Sequence, residues 1–179
     1  MPEDDRNLPR EDRGFVTVRT RTVHRPEIAQ PWPGILAADA FDANDTVGSL
    51  FEFKDVARYP GGSFVIVGAL LYDQADQNAV YYLHLFRRSV TIPASDAAWT
   101  LADNTGLLYK IATISIPATT NNEAGDEIDG RFHEVNGLAI YRACEEGSTS
   151  LFGALSTSST PTYATLAVVP RVQLILLQD

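Results

Sequence analysis

The sequence predicts an all-β fold: a two-layer antiparallel β-sandwich, of jelly-roll type, with an extended N-terminal arm. Three observations carry this expectation. Runs rich in Val, Ile, Leu, Tyr, Phe and Thr recur along the chain between clusters of Gly, Pro, Asn, Asp and Ser. Almost no stretch holds the 3.6-residue periodicity of an amphipathic helix. The chain of 179 residues suits one domain that buries roughly two thirds of its unfolded surface, and with Cys144 as its only cysteine it must do so without an intrachain disulfide. A count of eight strands favours a jelly roll over an immunoglobulin-like sandwich. Residues 1–36 are expected to form the arm and residues 37–179 the sandwich.

In the arm, Met1 to Gly14 mixes both charge signs with two prolines and has too little apolar surface to offset the entropy of ordering. A tail without a role and an arm that orders on a neighbouring subunit are both compatible with it. Phe15 to His24 alternates, with Phe15, Thr17, Arg19 and Arg21 on one side and Val16, Val18, Thr20 and Thr22 on the other. It is expected to be an exposed strand, whose arginines suit a solvated edge or an acidic neighbour. Pro26, Pro31, Pro33 and Gly34 then enforce an extended linker in which Trp32 packs locally or anchors the arm.

Within the sandwich, the first expected strand is Ser49 to Arg58, with Phe51 and Phe53 inward. A Pro60-Gly61-Gly62 turn leads to a hairpin over Val56 to Phe86, formed by two apolar strands around the polar loop Asp73 to Asn78. Around Ala97-Ala98-Trp99, a short helical turn capped by Ser95 or Asp96 is compatible with the pattern. Leu107 to Ile116 is the next strand and ends at Pro117, after which Ala118 to Phe132 is a polar, acidic loop. Glu134 to Ala143, Ser150 to Ser156 and Thr165 to Gln178 complete the set, with Pro170 expected at a bulge or edge of the last strand.

The formal net charge of -9 and a pI near 4.7, with Lys54 and Lys110 as the only lysines, argue against a nucleic-acid surface. No apolar run reaches the roughly 18 to 20 residues of a membrane span, and the first residues are too charged for a signal peptide. His24, His84 and His133 fall in different elements without zinc-ligand spacing, and no nucleophile-elbow, Walker or dinucleotide-binding pattern occurs, so no enzyme and no cofactor is expected. Two acidic groups offer oxygen ligands. They are Asp39, Asp42 and Asp45, and the loop carrying Glu123, Asp126, Glu127 and Asp129; Glu123, Asp126 and Asp129 form the better candidate for calcium, against a plain reading as solvated turns. A rival function is a carbohydrate-binding module using Trp99, Tyr81, Tyr82 and Tyr163, against packing in a core.

Several landmarks occur in order: Phe41-Asp42-Ala43-Asn44-Asp45-Thr46-Val47-Gly48, Ala57-Arg58-Tyr59-Pro60-Gly61-Gly62, Leu83-His84-Leu85-Phe86 and Ala98-Trp99-Thr100-Leu101-Ala102-Asp103. Leu151-Phe152-Gly153-Ala154-Leu155, Pro161-Thr162-Tyr163-Ala164 and Leu174-Ile175-Leu176-Leu177-Gln178-Asp179 follow. Together they resemble tailed-bacteriophage virion structural proteins of the capsid decoration, or cement, type, over about Ala37 to Asp179. The resemblance implies a non-enzymatic structural protein on the capsid surface of the virion, or at a tail or fibre position. Its implied partners are the major capsid protein and further copies of itself, as a dimer or trimer, with neither nucleic acid nor membrane. The arm and the acidic insert Asn121 to Asp129 lie outside the resemblance. Phe15, Arg19, Arg21 and Trp32 in the arm are the expected partner-binding residues.

Overall fold

The computed structural model describes residues 39–73, 77–102, 106–118, 131–163 and 170–178. Strands β1 (Asp39–Ala40), β2 (Thr46–Phe53), β3 (Ser63–Asp73) and β4 (Tyr81–Phe86) are followed by one helical turn, α1 (Gly106–Tyr109). Then come β5 (Lys110–Ile116), β6 (Arg131–Ala143), β7 (Leu151–Thr157), β8 (Thr162–Tyr163) and β9 (Arg171–Gln178). A four-stranded sheet in the order β2-β7-β4-β5 packs on a three-stranded sheet in the order β6-β3-β9, and β1 and β8 form a short ribbon. Every pairing is antiparallel. The predicted all-β sandwich is therefore present. Its described strands do not complete the two four-stranded sheets of a jelly roll.

The core between the layers follows from alternation. Phe64, Ile66, Ala69 and Leu71 of β3 meet Leu83 and Leu85 of β4, Ile114 and Ile116 of β5, Leu151 and Leu155 of β7, and Val172, Leu174 and Leu176 of β9. In β3 the inward set changes parity after Ile66. A register shift between Ile66 and Gly68, shared by both neighbours, inserts one residue and keeps Ala69 and Leu71 inside. Gly68 has no room for a side chain: a Cβ there would lie 2.9 Å from the Val135 carbonyl oxygen.

The predicted hairpin at Val56 to Phe86 is corrected. β3 and β4 are the two strands expected, but they lie in different sheets, each between two other partners. Both are central strands, and their apolar content reports burial without telling which sheet each joins. The Pro-Gly-Gly turn that leads into β3 stands as read, with Gly61 at φ 72 and Gly62 N–H donating to the Tyr59 carbonyl at 2.9 Å. β2 begins and ends earlier than expected because Lys54 and Asp55 turn, with Asp55 at φ 54. Phe53 is buried and Phe51 packs against the core, as their alternation required.

The helical turn forms at Gly106–Tyr109, not after Ser95. Ser95 spends its hydroxyl on the Gly48 N–H of β2, at 3.1 Å, so it caps nothing. Among the described residues the last strand is Arg171–Gln178, directly after Pro170 and at the edge of its sheet; residues 165–169 of the expected strand lie outside the described residues. β1 and β8 carry no periodicity that a two-residue run can show, and neither was foreseen. The predicted strand Phe15 to His24, the boundary at residues 36 and 37 and the acidic loop over residues 121–129 lie outside the described residues.

Candidate functional site

Three places in the sandwich carry features beyond packing. The first is the outward face of the four-stranded sheet. His84 on β4 faces away from the core, opposite Thr113 of β5 and Ala154 of β7, yet it is only 5% exposed. Residues 87–102 fold over this face and tie themselves to the edge of β2. Asp96 N–H donates to the Thr46 carbonyl at 2.9 Å, Thr46 N–H to the Ala97 carbonyl at 2.8 Å, and Trp99 N–H to the Asn44 carbonyl at 2.7 Å. The Trp99 indole then stacks on the His84 ring at 3.9 Å and 10°. His84 Nε2 shares a hydrogen bond of 2.9 Å with the Ser156 hydroxyl.

A histidine beside a serine invites a nucleophilic reading, and the chemistry of this pair points elsewhere. Burial, and then the charge of Lys110, push the His84 pKa down to about 3, so the ring is neutral and a weak base. Its Nδ1 faces the Thr113 hydroxyl at 3.4 Å, where a triad would place a carboxylate. Ser156 is 3% exposed. The cluster fastens the covering segment to the sheet.

The second place is a polar network inside the sandwich. Asp73 at the end of β3 accepts hydrogen bonds from the hydroxyls of Tyr81, at 2.9 Å, and Tyr163, at 3.2 Å, and the two hydroxyls also contact each other. Burial, with the Asp73 charge adding to it, holds the Tyr81 phenol well above its ordinary pKa. Tyr163 is raised likewise by burial, by Tyr81 and by Asp73. His133 sits edge-on to Tyr81 at 5.6 Å, and its Nδ1–H donates to the Pro117 carbonyl at 3.0 Å. Its buried Nε2 has no partner among the described residues. The network joins β3, β4, β6 and the β1–β8 ribbon at one end of the sandwich, where the chain arrives at Asp39.

The third place is the outward face of the three-stranded sheet. Tyr141 of β6 and Leu177 of β9 flank Val65 of β3, and Phe132 of β6 lies beside Tyr72 of β3 with ring centroids 4.8 Å apart. Tyr141 is 69% exposed, Phe132 54% and Leu177 39%. An antiparallel sheet with one face in water ordinarily presents polar side chains there. Here Glu134, Asn136, Gln173 and Arg171 alternate with the apolar Val65, Leu70 and Tyr72, so the face is mixed, with its exposed aromatics at Tyr141 and Phe132. Tyr141 and Phe132 stand towards opposite ends of this face, opposite Val65 and Tyr72, and exposed aromatic side chains are enriched in contact surfaces.

Of the residues singled out in the sequence, Phe15, Arg19, Arg21, Trp32, Glu123, Asp126 and Asp129 lie outside the described residues. Asp45 is 8% exposed and its carboxylate accepts the Asp42 N–H at 2.8 Å, closing a turn. Among the described residues no three of His, Cys, Asp or Glu converge to hold a metal. Cys144 is buried, which pushes its thiol up to about 11. Tyr81 and Tyr163 are inside the sandwich and have no face to stack on a sugar; Tyr82 and Trp99 are half-buried. No helix of the described residues is long and apolar enough to cross a membrane. Sequence reading missed the outward face because Tyr141 and Phe132 become neighbours of Val65 and Tyr72 only through strand register. Compared with protein-family models, curated proteins and solved structures, the chain matches none.

Proposed function

We propose that this protein is a non-enzymatic structural component of a tailed-phage virion, a decoration or cement protein that binds the outside of the assembled capsid. Its partners in this reading are the major capsid protein and further copies of itself. The observation that carries it is the open face around Tyr141, Val65, Leu177, Phe132 and Tyr72. The ordered landmarks from Phe41 to the C-terminal strand support the virion setting. They fall mostly on strands, turns and the covering segment; of the exposed face, Leu177 lies within them and Phe132 and Tyr141 lie outside.

The physical basis is mass action. A partner that binds the assembled shell and not its separate subunits stabilises assembly in proportion to the logarithm of its concentration over the dissociation constant. A rigid sandwich supplies this without a conformational step, and aromatic side chains at the centre of a contact carry most of its energy. The test is binding of the purified protein to expanded heads of its phage that lack it, followed by density for the chain on the reconstructed particle. Saturable binding on the outer surface supports the proposal. Absence of binding to heads together with density at the tail moves the protein to a tail or fibre position, and hits on a glycan array return the carbohydrate reading.

A further inference from the structure

The end of the sandwich away from Asp73 and Tyr163 gathers cations, on a chain whose formal net charge is -9. β4 leads into Arg87 and Arg88 there, and α1 passes into β5 at Tyr109 and Lys110. Arg142, near the end of β6, donates from Nε to the Ile111 carbonyl at 3.1 Å. Glu145 and Glu146, in the turn before β7, are the acids beside them. Arg88 closes on Glu145: its Nε donates to Oε2 at 2.8 Å, and its Nη2 pairs with Oε1.

Two guanidiniums share one aromatic ring. Arg88 lies over the Tyr109 ring at 4.1 Å and donates from Nη1 to the Tyr109 hydroxyl at 3.0 Å. Arg87 stands over the same ring at 5.7 Å. The two differ in what they have left to offer. The fork of Arg88 is taken up by Glu145, whereas Arg87 is exposed and spends a single donor on the Leu108 carbonyl, at 3.4 Å. Beside them, α1 presents Leu107 at 49% and Leu108 at 60% exposure.

This arrangement is held in place by the fold. Gly106 is buried against Leu101, where a Cβ would come within 3.0 Å of Leu101 Cδ2, and its N–H donates to the Ala102 carbonyl at 2.9 Å. At the other end of α1, the Arg87 N–H donates to the Tyr109 carbonyl at 3.0 Å. A surface fixed in advance loses little freedom when something binds to it.

We propose that Arg87, Arg88, Tyr109, Leu107 and Leu108 form a docking site for an acidic, leucine-containing segment of a partner polypeptide. Arg87 takes a carboxylate of the partner in a forked pair, Leu107 and Leu108 take an apolar side chain next to it, and the locked Arg88 adds its field. Charge complementarity sets the class of partner. Arg87, Arg88, Lys110 and Arg142 face only Glu145 and Glu146 among the described residues, which leaves a local surplus of positive charge. A nucleic-acid strand demands a longer track of cations and is repelled by the net charge of -9, and two leucines offer nothing to its phosphates. Arginine and tyrosine are residues that carry binding energy between proteins. The site lies apart from Tyr141 and Phe132 and does not depend on a capsid as the partner.

Selection from a random peptide library on the immobilised full-length protein tests it. The expected result is enrichment of peptides that combine Asp or Glu with Leu, with binding that weakens as salt is raised. Arg87→Ala with Leu108→Ser should weaken the enriched peptide at least about tenfold at an unchanged Tm, since both side chains are exposed. Arg87→Lys, which keeps the charge and loses the fork, should fall between the two. Tyr141→Ser should leave the peptide affinity unchanged, which separates this site from the open sheet face. Selection that enriches no acidic peptides overturns the proposal. So does equal binding by wild type and the double variant, or tighter binding of a single-stranded oligothymidine than of any enriched peptide.

Discussion

The two outward faces of the sandwich are treated in opposite ways. On the four-stranded sheet, the chain covers His84 and Ser156 with its own residues 87–102 and sets an indole on the imidazole, while Thr113 on β5 stays exposed. On the three-stranded sheet it leaves aromatic and aliphatic groups open, with Tyr141 at 69% exposure. Simple solvation would predict the reverse. A face covered by its own chain serves stability, and under the proposed function the open face is the one that would serve association.

The largest expected effect comes from acid. In the unfolded chain His84 titrates near 6.5 and in the folded protein near 3, so the unfolded state binds more protons between these values. The contribution of His84 to stability is complete above about pH 6.5 and is lost as pH falls towards 3, on the order of 5 kcal/mol at most. His84→Gln should flatten this limb of a urea-denaturation series, and an unchanged limb would place the titrating group elsewhere. Removing the cover is the next strongest perturbation. Trp99→Ala should cost about 2 to 3 kcal/mol and let the His84 pKa rise towards its ordinary value, observable by NMR titration.

The interior shared by both sheets should respond less. Tyr163→Phe removes one of the two phenols that serve Asp73, and a loss of about 1 to 2 kcal/mol is expected by denaturant titration. On the open face the contrast predicts almost nothing for the isolated protein. Tyr141→Ser or Phe132→Ser should change stability by less than about 0.5 kcal/mol, while lowering affinity for the partner at least about tenfold. A large stability loss at Tyr141 would mean that this face is already covered within the protein.

The strands themselves were legible because burial on one side imposes a period of two, as in the run from Ser63 to Asp73. The Pro60-Gly61-Gly62 turn was legible because its backbone demands those residues. Sheet membership was not. Val56 to Phe86 reads as a hairpin, since two apolar runs with a polar loop look the same whether the second strand returns beside the first or crosses to the other layer. His84 and Ser156 sit 72 positions apart, and only the pairing of β4 with β7 brings them together. The open face was hidden for the same reason: Tyr141 acquires its neighbours from register, and exposure of an aromatic leaves no mark on the sequence around it.

The most direct measurement is cosedimentation of the protein with phage heads that lack it, using wild type and the double variant Phe132→Asp with Tyr141→Asp at matched thermal stability. Saturable binding by wild type and at least about tenfold weaker binding by the variant is the expected result. Equal binding by the two, or no binding by either, would contradict the assignment of the open face as the surface that meets the shell.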